Sequence, residues 1–355
     1  MKRYILSLAV LICTLVFQSC SIDNPAGNDS SCLYARYFDI IRSESPDSSA
    51  AVVVISPYGK MRDTLIVEKP LDNIICMSSS QVAGLAEIGA DDMISAVSGL
   101  RYITNQTLHE RKVPDIGYEV SLDYEKILSI KPDVILAYTV SRSEPPYLSR
   151  LRDLGIRVLI LHDHLEDHPL ARAEYIRLYG VLTGRQELAD SVFSAICSRY
   201  DSLAVKTSGR KERVKVLMNV PYGDAWYIPG GDSYMARLVH DAGGEILGSV
   251  PGTSASSVIS LEDAYGISRS ADIWMNPGPC TKLAELVSFH HSFKMFGPLE
   301  KGLPIYNNTL RSTPEGGNDF WESGSVRPDL ILKDLIAIFS ESGETGSLEY
   351  HFQVK

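Results

Sequence analysis

From residue 33 to residue 68, apolar and polar positions alternate with period two. Tyr34, Arg36, Phe38 and Ile40 alternate with their neighbours, and the runs Ala51-Val52-Val53-Val54-Ile55 and Thr64-Leu65-Ile66-Val67 follow between Ser, Pro, Asp and Gly turns. That pattern predicts a small antiparallel β-meander. Beyond residue 69 the period changes. An apolar run at 73–77, a polar turn at 78–81, a helix over 82–87 ending at Gly89 and a strand over 93–97 make a βαβ unit. The order repeats over 113–138: a short strand ending at Gly117, then a helix with Leu122, Ile127, Leu128 and Ile130 at helical spacing, stopped by Lys131-Pro132-Asp133. Val134-Ile135-Leu136-Ala137 then runs apolar without alternation, as a strand buried on both faces does. A third repeat occupies 147–162, its helix ending at Gly155.

After Pro169 comes the longest helical pattern. Ala171, Tyr175, Leu178 and Leu182 share a face that Leu188, Val192, Ile196 and Leu203 continue. Gly184 is expected to kink it, at about 1 kcal/mol relative to alanine. A helix over 169–209 is too long for an ordinary crossover and reads as a spacer between two lobes. The second lobe opens with a strand at 214–219 and a turn-rich segment, then alternates helices and strands to an apolar helix over 329–339. The expected fold is α/β: two Rossmann-like lobes joined by one long rigid helix, with the meander in front. Its parts are the meander (32–68), a first lobe (69–168), the linking helix (169–209), a second lobe (210–340) and a C-terminal tail (341–355). In such sheets ligands collect at the carboxyl ends of strands.

The ends and the charge narrow the setting. Lys2 and Arg3 precede an apolar stretch and then Gln18-Ser19-Cys20. This describes a secretory signal over 1–19, too short for a membrane span of about 20 residues. Cys20 stands where a bacterial lipoprotein would be acylated, and the small polar residues at 20–31 read as a tether. Cys32, Cys76, Cys197 and Cys280 are widely spaced and lack a CxxC pair, which argues against structural zinc. A net charge of −10 across 355 residues leaves no basic stripe for nucleic acid.

The run at 113–138, with glycine, lysine, proline and aspartate at fixed offsets, resembles the substrate-binding proteins of ABC importers that carry cobalamin or ferric siderophores. The pieces Asp92-Met93-Ile94, Ala242-Gly243-Gly244 and Arg327-Pro328-Asp329 follow in the same order, and WYIPGGDSY and GGNDFWESG resemble its lipoprotein versions. The resemblance covers residues 69–339. It implies a non-catalytic, monomeric protein, lipid-anchored on the periplasmic side of a Gram-negative membrane. Such a protein captures an iron chelate, haem or cobalamin between its lobes, without a cofactor of its own, and hands it to a permease and its ATPase.

Candidate ligand contacts follow from the strand ends. Tyr102, Tyr118 and Tyr138 follow strands of the first lobe. Tyr222, Trp226, Tyr227 and Tyr234 surround Pro229-Gly230-Gly231 and suit an aromatic wall for a flat ligand. Asn318 and Trp321 are expected to close over the same cleft. Arg311 is the arginine best placed to grip a ligand carboxylate or phosphate, ahead of Arg101, Arg142 and Arg327. The resemblance further implies one permease-docking glutamate per lobe, Glu110 and Glu245. His162, His164 and His168 suggest an alternative, a metal-binding protein or chelatase-like metalloenzyme on the same frame. No GxSxG, Walker or HExxH motif occurs.

Overall fold

A computed structural model describes residues 32–41, 50–58, 62–340 and 346–355. The leader, the Cys20 acylation site and the tether lie outside the described residues. Strands β1 (Phe38–Ile41), β2 (Ala50–Ile55) and β3 (Arg62–Val67) form the antiparallel sheet, in that order. The alternating pattern begins earlier than the strand does. Residues 33–37 are held by side chains instead: Glu174 accepts the backbone N–H groups of Leu33, Tyr34 and Ala35, each at 2.8 Å, and Glu166 those of Arg36 and Tyr37. The meander is no loose appendage, because Phe38 is buried 4.5 Å from the ring of Tyr175.

The first lobe is a parallel sheet of β4 (Ile74–Cys76), β5 (Ile94–Val97), β6 (Val134–Tyr138) and β7 (Val158–Leu161), in spatial order β5-β4-β6-β7. All four residues of the apolar run 134–137 are fully buried. Helices α1 (Ser79–Ala86), α2 (Gln106–Glu110), α3 (Tyr124–Ile130) and α4 (Pro146–Asp153) connect the strands. Two expectations change here. The polar run 78–81 is the start of α1, with Ser78 as N-cap in a capping box with Gln81. The stretch 113–117 makes only a single bridge, Asp115 to Val97, and is otherwise a loop.

The spacer is a helical pair, not one rod. It comprises α5 (Pro169–Thr183) and α6 (Gln186–Thr207), with Gly184 between them in the left-handed region at φ 70°. A β-carbon at Gly184 would also meet the ring of Pro70. The left-handed residue caps α5 and turns the chain back, which a kink would not do. The pair reaches both lobes. Arg185, at the turn, donates to the carbonyl of Ile88. At the other end Thr207 donates to the Asp241 carbonyl, and the Arg172 guanidinium lies 3.9 Å over the Tyr234 ring.

The second lobe contains β8 (Val214–Met218), β9 (Pro221–Tyr222), β10 (Ala225–Ile228), β11 (Gly244–Ile246), β12 (Ser257–Ile259), β13 (Ile273–Met275), β14 (Ile305–Asn307) and β15 (Phe352–Gln353). Its main sheet has the order β11-β8-β13-β14-β15, parallel except for β15, and β12-β10-β9 form a small second sheet. Helices α7 (Tyr234–Asp241), α8 (Leu261–Ser268), α9 (Leu283–Phe289), α10 (Gly297–Glu300), α11 (Ser323–Val326) and α12 (Pro328–Ile338) cover it. The expected tail is therefore partly structural. Asp334, fully buried, accepts the N–H groups of Glu349, Tyr350 and His351 and pairs with the His351 ring at 3.0 Å, fixing β15 at the sheet edge. One core cluster runs from Cys32 through both lobes to Val354.

Candidate functional site

The first-lobe face of the cleft is built by one carboxylate. Asp115 accepts the N–H groups of Gly99 (2.9 Å) and Gly117 (2.8 Å) on one oxygen and that of Leu100 (3.0 Å) on the other. Two loops that follow different elements are thereby tied together, and each presents a tyrosine. The rings of Tyr102 and Tyr118 lie 6.0 Å apart, both more than a third exposed. Gly99, at φ 73°, is what lets them meet, since a β-carbon there would collide with the Tyr118 hydroxyl. The Arg101 guanidinium stacks 4.6 Å over Tyr102. Burial raises the Tyr118 phenol above its ordinary range, so it stays protonated and able to donate.

The second-lobe face lies at the carboxyl ends of β8, β13 and β14. Asn219, Asn276, Asn307 and Asn308 stand directly beyond or at the ends of these strands and line a cavity of about 580 Å³ that Asn318 and Trp321 also border. Asn219 (φ 69°) and Asn276 (φ 55°) adopt the left-handed conformation that asparagine tolerates better than most residues. The two faces touch at one edge: Thr313 Oγ1 donates to the Arg101 carbonyl at 3.4 Å, and a β-carbon at Gly316 would lie 3.9 Å from the Tyr102 ring.

Beside that contact, Glu322 accepts the N–H groups of Thr104 (2.6 Å) and Asn105 (2.8 Å), and Thr104 donates to Asp319. Glu322 therefore latches the cavity-lining loop of one lobe to the Tyr102 loop of the other. Burial pushes its carboxyl up to about 7.

Of the candidates from sequence, Tyr102 and Tyr118 form a pair, and Asn318 and Trp321 sit on the facing cavity. Trp226 must be corrected. It is fully buried, donates to the Met218 carbonyl at 2.9 Å, and packs against Trp274, Phe293 and Phe296. Alternation along β10 turns its ring inward and leaves its neighbour Tyr227 partly exposed. Tyr234 is likewise buried beneath Arg172. Tyr222 is exposed beside β10, without a ring partner among the described residues. Tyr138 packs 6.0 Å from His164. Arg311 is neutralised by Asp319 at 2.9 Å and borders the groove behind the latch, not the cavity. Glu110 and Glu245 are exposed, one on each lobe.

His168 caps α5 through its Nδ1 and stacks on Tyr34. His162 and His164 lie 6.5 Å apart; burial holds His162 down at about 4, so it is neutral at physiological pH. Among the described residues no three His, Cys, Asp or Glu side chains are placed to hold a metal ion. Sequence reasoning missed Asp115 and the asparagines. An aspartate two residues before a glycine, and asparagines ending apolar strands, were the available signals.

A family model described as periplasmic binding protein matches residues 74–281, from β4 of the first lobe to the far wall of the cavity. The chain belongs to the periplasmic binding protein family. An uncharacterized lipoprotein of Methanocaldococcus jannaschii is 24% identical over 301 residues, covering 81% of this chain and 69% of that protein. An uncharacterized ABC transporter substrate-binding lipoprotein of Bacillus subtilis is 26% identical over 184 residues, or 50% of this chain and 56% of that one. Among solved structures, a periplasmic haem-binding protein from Pseudomonas aeruginosa superimposes with a TM-score of 0.60 at 17% identity, covering 80% and 98% of the two chains. That likeness establishes the bilobed α/β fold. As a member of this family the protein is a substrate-binding transport component and not an enzyme, which sets aside the metalloenzyme alternative.

Proposed function

We propose that this periplasmic binding protein is the lipid-anchored receptor of an ABC importer that takes up a large ring or chelate ligand: haem, a ferric siderophore or cobalamin. The observation that best supports the reading is the Tyr102–Tyr118 pair set at the edge of the asparagine-lined cavity. Exposed rings on one wall and hydrogen-bonding side chains on the other suit a flat ligand with a polar rim. The latch at Glu322 and the helix pair α5–α6 limit lobe motion, so binding needs little rearrangement. Acylation at Cys20 would hold the protein at the periplasmic face of a Gram-negative membrane, and the lipoprotein relatives favour an anchor. Glu110 and Glu245 would meet basic residues of the permease, adding encounter rate and specificity more than affinity.

The test is a titration of purified protein with haemin, cyanocobalamin and ferric catecholate and hydroxamate chelates, followed by tryptophan fluorescence. Saturable, one-to-one quenching by at least one of them is expected. Failure of the whole panel to bind contradicts the proposal.

A further inference from the structure

The sheet β1-β2-β3 has two outer edges, and they are not equivalent. Ile55 donates its N–H to the Tyr37 carbonyl opposite it at 2.9 Å, so Val53 and Ala51 also turn their backbone polar groups toward β1. Ala50, Val52 and Val54 then bond to Val67, Leu65 and Asp63 on β3. This leaves the N–H and C=O groups of Arg62, Thr64 and Ile66 on the free side of β3, where they have no hydrogen-bond partner among the described residues. On the opposite edge Ile40 gives its N–H to the carboxylate of its neighbour Asp39 at 2.8 Å, which blunts β1. β3 carries no such guard among the described residues. A groove of about 760 Å³ runs along it, lined by Thr64, Leu65 and Ile66 in succession and faced by Arg152, Gly155 and Arg157 of the first lobe. Successive residues of a strand point to opposite faces, so a space lined by all three looks onto the strand's edge.

The side chains match the backbone. Ile41, Ala51 and Ile66 make one row across the outer face, and Ile41 and Ile66 are each 57% exposed. Arg62 opens β3 and Glu68 follows it; both are exposed, and neither makes an ion pair among the described residues. An antiparallel partner reaches the outward groups of 62, 64 and 66 only in registers that set its own outward residues opposite them. When that partner is β3 itself, the register centred on Leu65 meets this condition. It sets Arg62 opposite Glu68 of the second copy at both ends, and Thr64 opposite Ile66. It closes on itself about a two-fold axis and brings the two Ile66 side chains diagonally across that axis.

We infer that β3 is a dimerisation edge, pairing antiparallel with β3 of a second copy of this chain in the register centred on Leu65. The two meanders then form one continuous sheet. This interface goes beyond the transport reading. It uses none of the residues that build the cleft, and it lies ahead of residue 74, where the match to the family begins.

Sedimentation velocity of the mature chain, residues 21–355 made without lipid, tests the pairing from about 1 to about 100 μM protein. A dimer is expected to grow in over that range. Arg62→Glu sets like charges opposite each other at both ends and is expected to weaken it about tenfold or more. Thr64→Pro removes an outward N–H from an edge position, where proline is tolerated, and should do the same. The swap Arg62→Glu/Glu68→Arg rebuilds both ion pairs in reverse. It should return the dimer to within about threefold of the unmodified chain, a rescue that a merely structural role for Arg62 does not predict. A chain that stays monomeric throughout overturns the inference and leaves the edge to an extended segment of another protein. A dimer that survives both single variants, or a swap that fails to rescue, overturns it as well.

Discussion

The two faces of the cleft use different chemistry. The first lobe offers exposed phenol rings held in place by a single carboxylate, Asp115, through three backbone N–H groups. The second lobe offers amides at the ends of three parallel strands, with Trp321 at their border, and keeps Trp226 and Trp274 in the core. Rings supply contact area and tolerate many flat ligands, whereas directional amides discriminate among their rims. On the proposed reading, a receptor built this way separates grip from recognition.

Trp226 and the Tyr102–Tyr118 pair are both aromatic and both near strand ends, so truncating each is the sharpest way to break the comparison. Trp226→Ala removes a fully buried ring stacked on Phe296 and should cost about 3–5 kcal/mol in urea unfolding. A loss under about 1 kcal/mol would mean the ring does not anchor the second lobe. Asp115→Ala leaves three N–H groups without their acceptor. It should cost about 1–3 kcal/mol and weaken ligand binding as the two loops part. Unchanged affinity for every bound chelate would show that the tyrosines do not depend on it.

A smaller effect concerns the carboxyls that join segments. Glu166 and Glu322 are each pushed by burial up to about 7, above the ordinary 4.5. Their folded state binds more protons than the unfolded one across that interval. Their contribution to stability is thus fully present below about 4.5 and lost as pH rises through about 7. His162 and His168, held at about 4 against an ordinary 6.5, act in the opposite sense between those values. Above pH 6.5 these two histidines have given their full contribution, and the urea midpoint should fall as the carboxyls lose theirs with pH rising to 8. Glu322→Gln should flatten that slope; a midpoint that climbs over the interval would refute the assignment.

Much of the fold was readable because buried parallel strands and amphipathic helices leave strong periodic marks, as at 134–137 and in α12. The break at Gly184 was harder, since the apolar face continues across it and only the left-handed backbone reverses the chain. Residues 346–355 looked like a tail because a two-residue strand has no period; Asp334, on the preceding helix α12, fixes it. Tyr102 was legible from the end of β5, whereas Tyr118 was reached through an expected strand at 113–117 that is a loop. Trp226 was not legible, because in a four-residue strand nothing in the sequence says which alternate face is the inner one. The asparagine wall left only one mark, asparagines ending apolar runs, and became a wall once the sheet brought residues 219, 276 and 307 side by side.

The most direct measurement is a binding titration of the Tyr102→Ala/Tyr118→Ala double variant beside the unmodified protein, using whichever chelate the unmodified protein binds. If the ligand lies between the ring pair and the asparagine wall, affinity should fall about tenfold or more while the urea midpoint stays nearly unchanged. Equal affinity in the two proteins would contradict that placement.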